Sequence, residues 1–390
     1  MTDHSDLHVL VISTWYPQGK DALIGIYHKQ FCESLAQNGI KVNMLHVDRQ
    51  AISLIGRYPF MKKEYSRQEN GYTTYFQRML NLSRVSFDLQ MRNYVKALEK
   101  LYRRYEKLHG KPHILHAQVT TPAGYAACVL GKKIGVPVVI TEHASYFERF
   151  FSGQEGKYGR FAASAAARIT CVSGYMKDIY AEKHGISAQV LPNIVDCSAF
   201  AGPKQPGDGV LRFTTVSALR PQKQIDLAAR ALKLLRDTNA LPPFRYTVVG
   251  DGDQKQRYMQ AVEEMGMQDC VEFVGRKSRE EIARILSSTD ILLIASTVET
   301  FGIPAVEALA AGVPVVSTKC RGPEGFLTAD CSELCDPEDA ESMAQAILRM
   351  YERLGELDEG GIRAVATQFD GPSVAAQAAA IYRQVLSGEK

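Results

Sequence analysis

Two carboxylates eight residues apart, in a stretch otherwise poor in charge, are the side chains best placed to do chemistry. The stretch reads Ser296-Thr-Val-Glu299-Thr-Phe-Gly-Ile-Pro-Ala-Val-Glu307-Ala-Leu-Ala-Ala-Gly-Val-Pro-Val-Val316. The apolar run before it predicts a strand, and the Ala-rich run within it a helix. Pro304 suits a first helical turn, where its missing N–H would have had no intrahelical acceptor. The backbone amides of Phe301, Gly302 and Ile303, with Thr300 beside them, then lie at a helix N-terminus, where free donors and the helix dipole favour an anion such as a pyrophosphate. Gly302 lets such a group come close to the backbone. Glu299 falls in the loop ahead of this helix and Glu307 in its first turns, so the two would meet different parts of one elongated ligand. A carboxylate accepts two hydrogen bonds from a vicinal diol, which both a ribose and a hexose present. Taken singly, Glu307 could complement the helix dipole and Glu299 be a loop charge. Taken with the Ala-x-Gly-x-Pro-Val turn that follows, the pair is far more restrictive.

Other candidates follow predicted strands. Arg220 and Lys223 stand in Ser217-Ala-Leu-Arg220-Pro-Gln-Lys223, two cations after a predicted strand. Gly250 opens a glycine turn, Val249-Gly-Asp-Gly252, and is a candidate substrate contact. Asp251-Gly-Asp253 is a literal Asp-x-Asp, a pattern that can hold a divalent metal; directly after Gly250 it reads as a turn, and no metal is expected. In the first half, His116-Ala-Gln118 and Thr141-Glu-His143 end two predicted strands, the edge at which doubly wound domains take ligands. Gly25 lies downstream of Ser13-Thr-Trp-Tyr-Pro17 and is either a ligand contact or an ordinary loop glycine. The eight cysteines include no Cys-x-x-Cys, so structural zinc is not expected.

These residues need strands with parallel neighbours to position them. Short β-branched runs alternate with longer helix-period segments, as when a parallel sheet is covered on both faces. Strands are predicted at 8–12, 41–46, 114–117, 136–141, 168–172 and 188–191, then at 211–216, 245–249, 271–274, 291–294 and 313–317. A chain of 390 residues exceeds one ordinary core. The expected organisation is therefore α/β with two Rossmann-like doubly wound domains facing a cleft: an N-terminal domain over 1–197, a Pro/Gly-rich linker over 198–210 and a C-terminal domain over 211–370. An Ala-rich helix over 371–390 either finishes the second domain or crosses back to brace the first.

Glu-x7-Glu followed by Ala-x-Ala-x-Gly-x-Pro-Val resembles the signature of the large retaining glycosyltransferase family numbered four, which has the GT-B fold. The resemblance extends over nearly the whole chain: Pro192-Asn-Ile-Val-Asp196, the Val249–Gly252 turn and Gly322-Pro-Glu324 are similar to further family elements. It implies that Glu299 reaches the donor sugar and Glu307 the nucleotide ribose, and that the domain over 211–370 binds a nucleotide diphosphate sugar of UDP or GDP type, with no separate cofactor. It implies that Lys223 serves the diphosphate; the family's usual arginine position is Ala218 here, so Arg220 is expected to take that work. It implies a donor-facing Gly25 and a His143 that touches the transferred sugar. His116 lacks the usual His-x-His partner, since Gln118 stands there. Base selection is expected around Gly275 and Arg276. The implied reaction retains configuration, with the leaving phosphate oxygen taking the acceptor's proton and closure of the domains excluding water.

Composition narrows the rest. A formal charge of +3 argues against nucleic-acid binding. The polar N-terminus offers no leader and no apolar run reaches membrane-spanning length, so a cytoplasmic location is expected. Between 57 and 111, thirteen Lys and Arg face five acidic residues. With Tyr58, Phe60, Tyr65, Tyr75 and Phe76 interleaved, that region is either a solvated face or a surface for anionic lipid or an anionic acceptor. A glycan, a lipid-linked or a small-molecule acceptor, in polysaccharide or glycoconjugate assembly, is the expected setting. A nicotinamide enzyme would show Gly-x-Gly-x-x-Gly, which is absent after the first strand and incomplete at Gly250. A sugar-nucleotide epimerase and a non-catalytic nucleotide-sugar-binding protein are the rival readings.

Overall fold

Six fully buried residues, His-Val-Leu-Val-Ile-Ser, form β1 (His8–Ser13), a run with no polar alternation because helices cover both of its faces. The computed structural model describes residues 7–17, 25–54, 56, 61–205 and 209–389. Around β1 the first sheet adds β2 (Lys41–Gln50), β3 (Glu64–Gln68), β4 (Thr73–Leu80), β5 (Ile114–Gln118), β6 (Val138–Glu142), β7 (Arg168–Cys171) and β8 (Ala188–Val190). Their order is β3-β4-β2-β1-β5-β6-β7-β8. Every neighbouring pair is parallel except β3 with β4. The connecting helices are α1 (Ile26–Gln37), α2 (Phe87–His109), α3 (Tyr125–Ile134), α4 (Gly156–Ala165) and α5 (Gly174–His184).

The basic region is where sequence pattern and structure part. It holds the β3–β4 hairpin as well as the amphipathic α2. Ser86 caps α2 by accepting the Leu89 amide at 3.2 Å, and Asp88 and Lys107 complement the two ends of its dipole. Met91, Tyr94, Leu98, Leu101, Tyr102 and Tyr105 form its buried stripe. Two of the aromatics expected on a ligand- or lipid-facing surface are instead core. Phe76 is fully buried, stacked on Tyr65 at 4.4 Å and edge-on to Tyr16 at 4.9 Å. Buried Tyr75 meets His109 Nε2 at 2.6 Å through its hydroxyl. The period of two along β4 alternates between two covered faces, so aromatic spacing could not reveal exposure. Several cations there are paired: Arg78 with Asp48 at 3.2 Å, and both Arg104 and Lys100 with Glu64. Arg57, Tyr58 and Phe60 lie outside the described residues.

The second sheet comprises β9 (Leu211–Val216), β10 (Phe244–Val249), β11 (Val271–Gly275), β12 (Ile291–Ile294), β13 (Val315–Thr318) and β14 (Ser332–Cys335), in the order β11-β10-β9-β12-β13-β14 and parallel throughout. Its helices are α6 (Ile225–Asp237), α7 (Lys255–Glu264), α8 (Arg279–Ser287), α9 (Ile303–Ala310), α10 (Ala340–Glu352) and α11 (Glu359–Thr367). Strand order reverses between β9 and β12 here and between β1 and β5 in the first sheet, and a crevice outside the carboxyl ends of the strands opens at such a reversal.

The chain divides into two units, one running to Ile194 and resuming at Gly371, the other Val195–Asp370. The division thus precedes 198–210. The one-turn helix Cys197–Phe200 belongs to the second unit and buries Phe200; residues 206–208 of the expected linker lie outside the described set. The final helix, α12 (Gly371–Ser387), is part of the first unit's core. Val374, Ala375, Ala378, Ala379, Ile381 and Tyr382 cluster with Val9, Val11, Phe31 and Val42. Three alanines let α12 approach closely, and the Tyr382 hydroxyl meets His116 Nδ1 at 2.6 Å. Ala378→Glu, which forces a charge into that fully buried contact, should cost at least about 2 kcal/mol and lower the first unit's thermal midpoint; calorimetry checks it.

Candidate functional site

In the second unit, the loops leaving β9 and β12 meet at the strand-order reversal. The β9 loop ends in a single turn, Pro221–Lys223. The amide of Thr297, in the β12 loop, donates to the Gln222 carbonyl at 2.9 Å and joins the two loops. This brings Lys223 Nζ onto Glu299 Oε1, where the Ser296 hydroxyl also donates at 2.8 Å. Both charged side chains are 17% exposed, so the pair is sheltered yet reachable.

The Glu299 backbone is fixed on two sides. Its amide donates to the Cys320 carbonyl at 2.8 Å and its carbonyl accepts the Gly322 amide at 3.0 Å. Between these, Arg321 adopts φ 83°, ψ −84°, a turn conformation unfavourable for a side-chain-bearing residue. Gly322 must be glycine, since a Cβ there would sit 2.6 Å from the Phe301 nitrogen.

Gly302 caps α9 at φ +91°, where a Cβ would lie 2.6 Å from the Pro323 ring. Pro304 follows in the first turn. Among the described residues no acceptor meets the amides of Phe301, Gly302 or Ile303. The Phe301 side chain turns away, packing edge-on to Phe369 at 5.2 Å, so that residue offers its backbone. Thr300 and Ile303 are half-buried.

Glu307 occupies the second turn of α9. It is 9% exposed and its carboxyl makes no hydrogen bond to a described residue. Burial pushes its pKa up to about 7, opposed only by the Arg279 charge. Arg279 is itself held by Asp196 at 3.4 Å.

Gly250 is dictated by packing. At φ +136° its Cβ would fall 1.8 Å from the Ser217 carbonyl oxygen, so the glycine turn lies directly against the loop that carries Arg220 and Lys223. Its amide donates to the Gly275 carbonyl at 2.9 Å, which sets Gly250 beside exposed Arg276. Arg220 is exposed and pairs with no described residue; of the two expected cations, only Lys223 is joined to Glu299. Asp251 accepts the Gly252 amide at 2.9 Å, a turn contact. Among the described residues no group of three or more His, Cys, Asp or Glu side chains could hold a metal ion.

The first unit assembles its polar residues on the carboxyl edge of β1, β5 and β6. Gly25, at φ +78°, packs so tightly that a Cβ would stand 2.7 Å from the Trp15 carbonyl carbon. His143 sets Nδ1 2.7 Å from Asn193 Oδ1 and Nε2 2.6 Å from Gln118 Oε1. Burial lowers its pKa to about 4, so the ring is neutral at pH 7 and donates from one nitrogen only. One amide must therefore turn its NH2 toward the ring, and Gln118, whose amino group otherwise has no partner among the described residues, can do so. Both His143 nitrogens are thus engaged by protein. His116 is wholly internal, between Tyr382 and the Thr141 hydroxyl at 2.7 Å.

Sequence reasoning overlooked Ser296, Asn193 and Glu142. Glu142 is fully buried and takes the amides of Thr120, His143 and Ala144 at 2.8–2.9 Å, fixing the loop that carries His143. Ser296 and Asn193 lay inside motifs that had been noticed for other residues.

This fold is the GT-B fold, the architecture of one class of glycosyltransferases. The chain matches Glycosyltransferase Family 4 over residues 24–199 and Glycosyl transferases group 1 over residues 203–359. Between them these matches span most of it, and the chain belongs to the GT-B glycosyltransferases of the family-four type. It is 34% identical to the amylovoran biosynthesis glycosyltransferase AmsK of Erwinia amylovora over 38% of this chain and 37% of that one. It is 32% identical to the MMP alpha-(1->4)-mannosyltransferase of Mycolicibacterium hassiacum over 51% and 48%. The chain thus spans about half or less of these curated relatives' length. Anabaena HepE, solved with UDP and with UDP-glucose, superposes with a TM-score of 0.73 in its UDP complex, over 97% of this chain and 100% of that one at 16% identity.

The Glu307 carboxyl gives a signed prediction. Its pKa is raised on folding, so the folded state holds a proton that the unfolded chain releases from about pH 4.5 upward. Stability is therefore lost as pH rises toward 7, and the penalty is complete above that. Glu307→Gln removes it: the variant should match wild type near pH 4 and be more stable at pH 8 by about 1–3 kcal/mol, the upper figure being the full shift. Urea unfolding at the two pH values checks this.

Proposed function

We propose that the chain is a retaining glycosyltransferase that moves a sugar from a nucleotide diphosphate sugar, of UDP or GDP type, to a glycan, lipid-linked or small-molecule acceptor in glycan assembly. The observation that carries the reading is the Lys223–Glu299 pair at the strand-order reversal, beside a helix start whose amides of Phe301, Gly302 and Ile303 lack acceptors among the described residues. The amides and Lys223 would take the diphosphate, with exposed Arg220 reaching it from the same loop. Glu299 would accept from hydroxyls of the transferred sugar and Glu307 from the ribose diol. The unsatisfied, buried carboxyl of Glu307 supports that role, because a ligand diol would supply the donors that the protein withholds. HepE's complexes with UDP and UDP-glucose, on the same fold, support the choice of donor class.

Charge builds on the leaving diphosphate as the glycosidic bond breaks. Cations and helix-start amides already in place stabilise it without reorganisation. The leaving phosphate oxygen then accepts the proton of the attacking acceptor hydroxyl, and attack from the face it vacates retains configuration. Neither a resident cofactor nor a metal is part of this scheme. In the first unit, Gly25 would border a ligand, and His143 would offer it one ring nitrogen by exchanging its Gln118 contact; a neutral ring serves as a hydrogen-bonding group there.

Thermal midpoints measured with UDP, GDP, UDP-glucose and GDP-mannose test the donor class, because a ligand at a hundred times its Kd stabilises by about 2.7 kcal/mol. One nucleotide family should raise the midpoint by several degrees; no shift with any of the four refutes the reading. Glu299→Ala should keep the wild-type fold and lose sugar transfer by at least about a hundredfold, since the interaction is one made to the reacting sugar. Donor binding should also carry a pH signature. The diol needs Glu307 ionised, so affinity should fall as pH drops below about 7 and Glu307 takes up its proton. Calorimetric titrations at pH 6 and 8 read the difference, which Glu307→Gln should abolish.

A further inference from the structure

We infer that Ser296 is a positioning residue for Glu299, one that leaves a single carboxylate oxygen free for the sugar and allows Lys223 to be transferred to the diphosphate. The inference rests on the donor-binding reading above. Both protein donors to the Glu299 side chain, the Ser296 hydroxyl at 2.8 Å and Lys223 Nζ, converge on Oε1. No described residue donates to Oε2. The carboxylate is therefore turned, with one oxygen held by protein and the other available.

Ser296 is well built to be the fixed member of this arrangement. It is 2% exposed. Its carbonyl accepts the hydroxyl of Thr318, at the carboxyl end of neighbouring β13, at 2.6 Å. The Thr297–Gln222 bond secures the next residue. A buried serine on a strand end, tied to the adjacent strand, has little freedom to follow its partner. Lys223 differs: four methylenes let its ammonium swing, and its anchor is a single turn.

The two donors consequently play unequal parts. Before a ligand arrives, Lys223 neutralises Glu299. A diphosphate carries more negative charge than one carboxylate and competes for the ammonium. When Lys223 moves to it, Glu299 would lose its main counter-charge in a sheltered place, an expensive change were nothing left on Oε1. Ser296 stays behind and keeps that oxygen satisfied and the carboxylate plane fixed, so Oε2 points where the sugar hydroxyl must be. The serine thus matters to the sugar part of the donor and not to its nucleotide part.

The test is Ser296→Ala against Ser296→Thr, with the full chain, using UDP, GDP, UDP-glucose and GDP-mannose as probes and the release of nucleoside diphosphate from donor as the rate. In Ser296→Ala, the Kd for the free nucleoside diphosphate should stay within about twofold, which also certifies the fold. The kcat for donor cleavage should fall about tenfold or more, the size expected for a lost hydrogen bond to a charged group, with a smaller change in KM. Ser296→Thr, which keeps the hydroxyl, should recover most of the rate. A Ser296→Ala enzyme with unchanged kcat overturns the inference, as does one whose nucleoside diphosphate affinity falls in step with its rate, since that marks a general distortion of the loop. If Ser296→Ala is silent while Glu299→Ala is inactive, the inference alone fails. If the wild-type chain binds none of the four probes, the donor reading fails and takes the inference with it.

Discussion

Everything in the second unit that could act on a ligand depends on bringing a lysine and a glutamate seventy-six residues apart onto one another at a strand-order reversal. A parallel sheet in the order β11-β10-β9-β12-β13-β14 sends the loops after β9 and β12 in diverging directions, so contact between Lys223 and Glu299 has to be constructed. The Thr297–Gln222 backbone bond constructs it from one side. The Cys320 and Gly322 bonds to the Glu299 backbone fix it from the other. Three strand ends therefore converge on one residue, fixing both the backbone and the carboxylate of Glu299.

The glycines follow from this convergence. Gly250, Gly302 and Gly322 stand where another chain segment passes within van der Waals contact: the Ser217 carbonyl, the Pro323 ring and the Thr300–Phe301 peptide. Their shared function is close packing of loops, which in turn leaves the α9 amides uncovered. The sequence reading assigned Gly250 and Gly302 to ligand approach. Crowding by the protein itself is the more immediate physical reason, and the two are compatible, since a loop held this tightly is also preorganised.

Legibility in the sequence was uneven for definite reasons. Strands such as 211–216 and 291–294 could be read to the residue because they are buried on both faces and flanked by turn-forming residues. β14 (Ser332–Cys335) was missed: four residues, two of them polar, carry no usable period. The β3–β4 hairpin was missed because its charge drew attention away from a two-residue alternation. The Glu299–Glu307 segment was visible since its restrictive features are local. Lys223 was singled out only through family likeness, as a group for the diphosphate; its contact with Glu299 and that of Ser296 were not anticipated, because which of two carboxylate oxygens a neighbour meets is a property of the folded loop. His143 was picked out as a ligand contact by its place at a strand end. That place is right, but nothing in sequence spacing says that Asn193 and Gln118 already occupy both ring nitrogens.

The two acidic residues of the motif illustrate how a site divides its electrostatic work. Glu299 is compensated by protein, through Lys223 and Ser296, and is held in one orientation by them. Glu307 is left uncompensated, at 9% exposure and without a hydrogen-bond donor among the described residues. Asp196 detains Arg279, the cation whose charge reaches it, so its carboxyl is held near pKa 7. Keeping such a group costs the free protein stability at neutral pH. A ligand able to donate hydrogen bonds to it recovers that cost on binding. An uncompensated buried carboxyl is thus a reserve of binding energy available to a diol and denied to water, whereas a compensated one supplies geometry. With one of each on the same loop and helix, a single elongated ligand would be attracted at one end and aligned at the other, as the proposed donor binding requires.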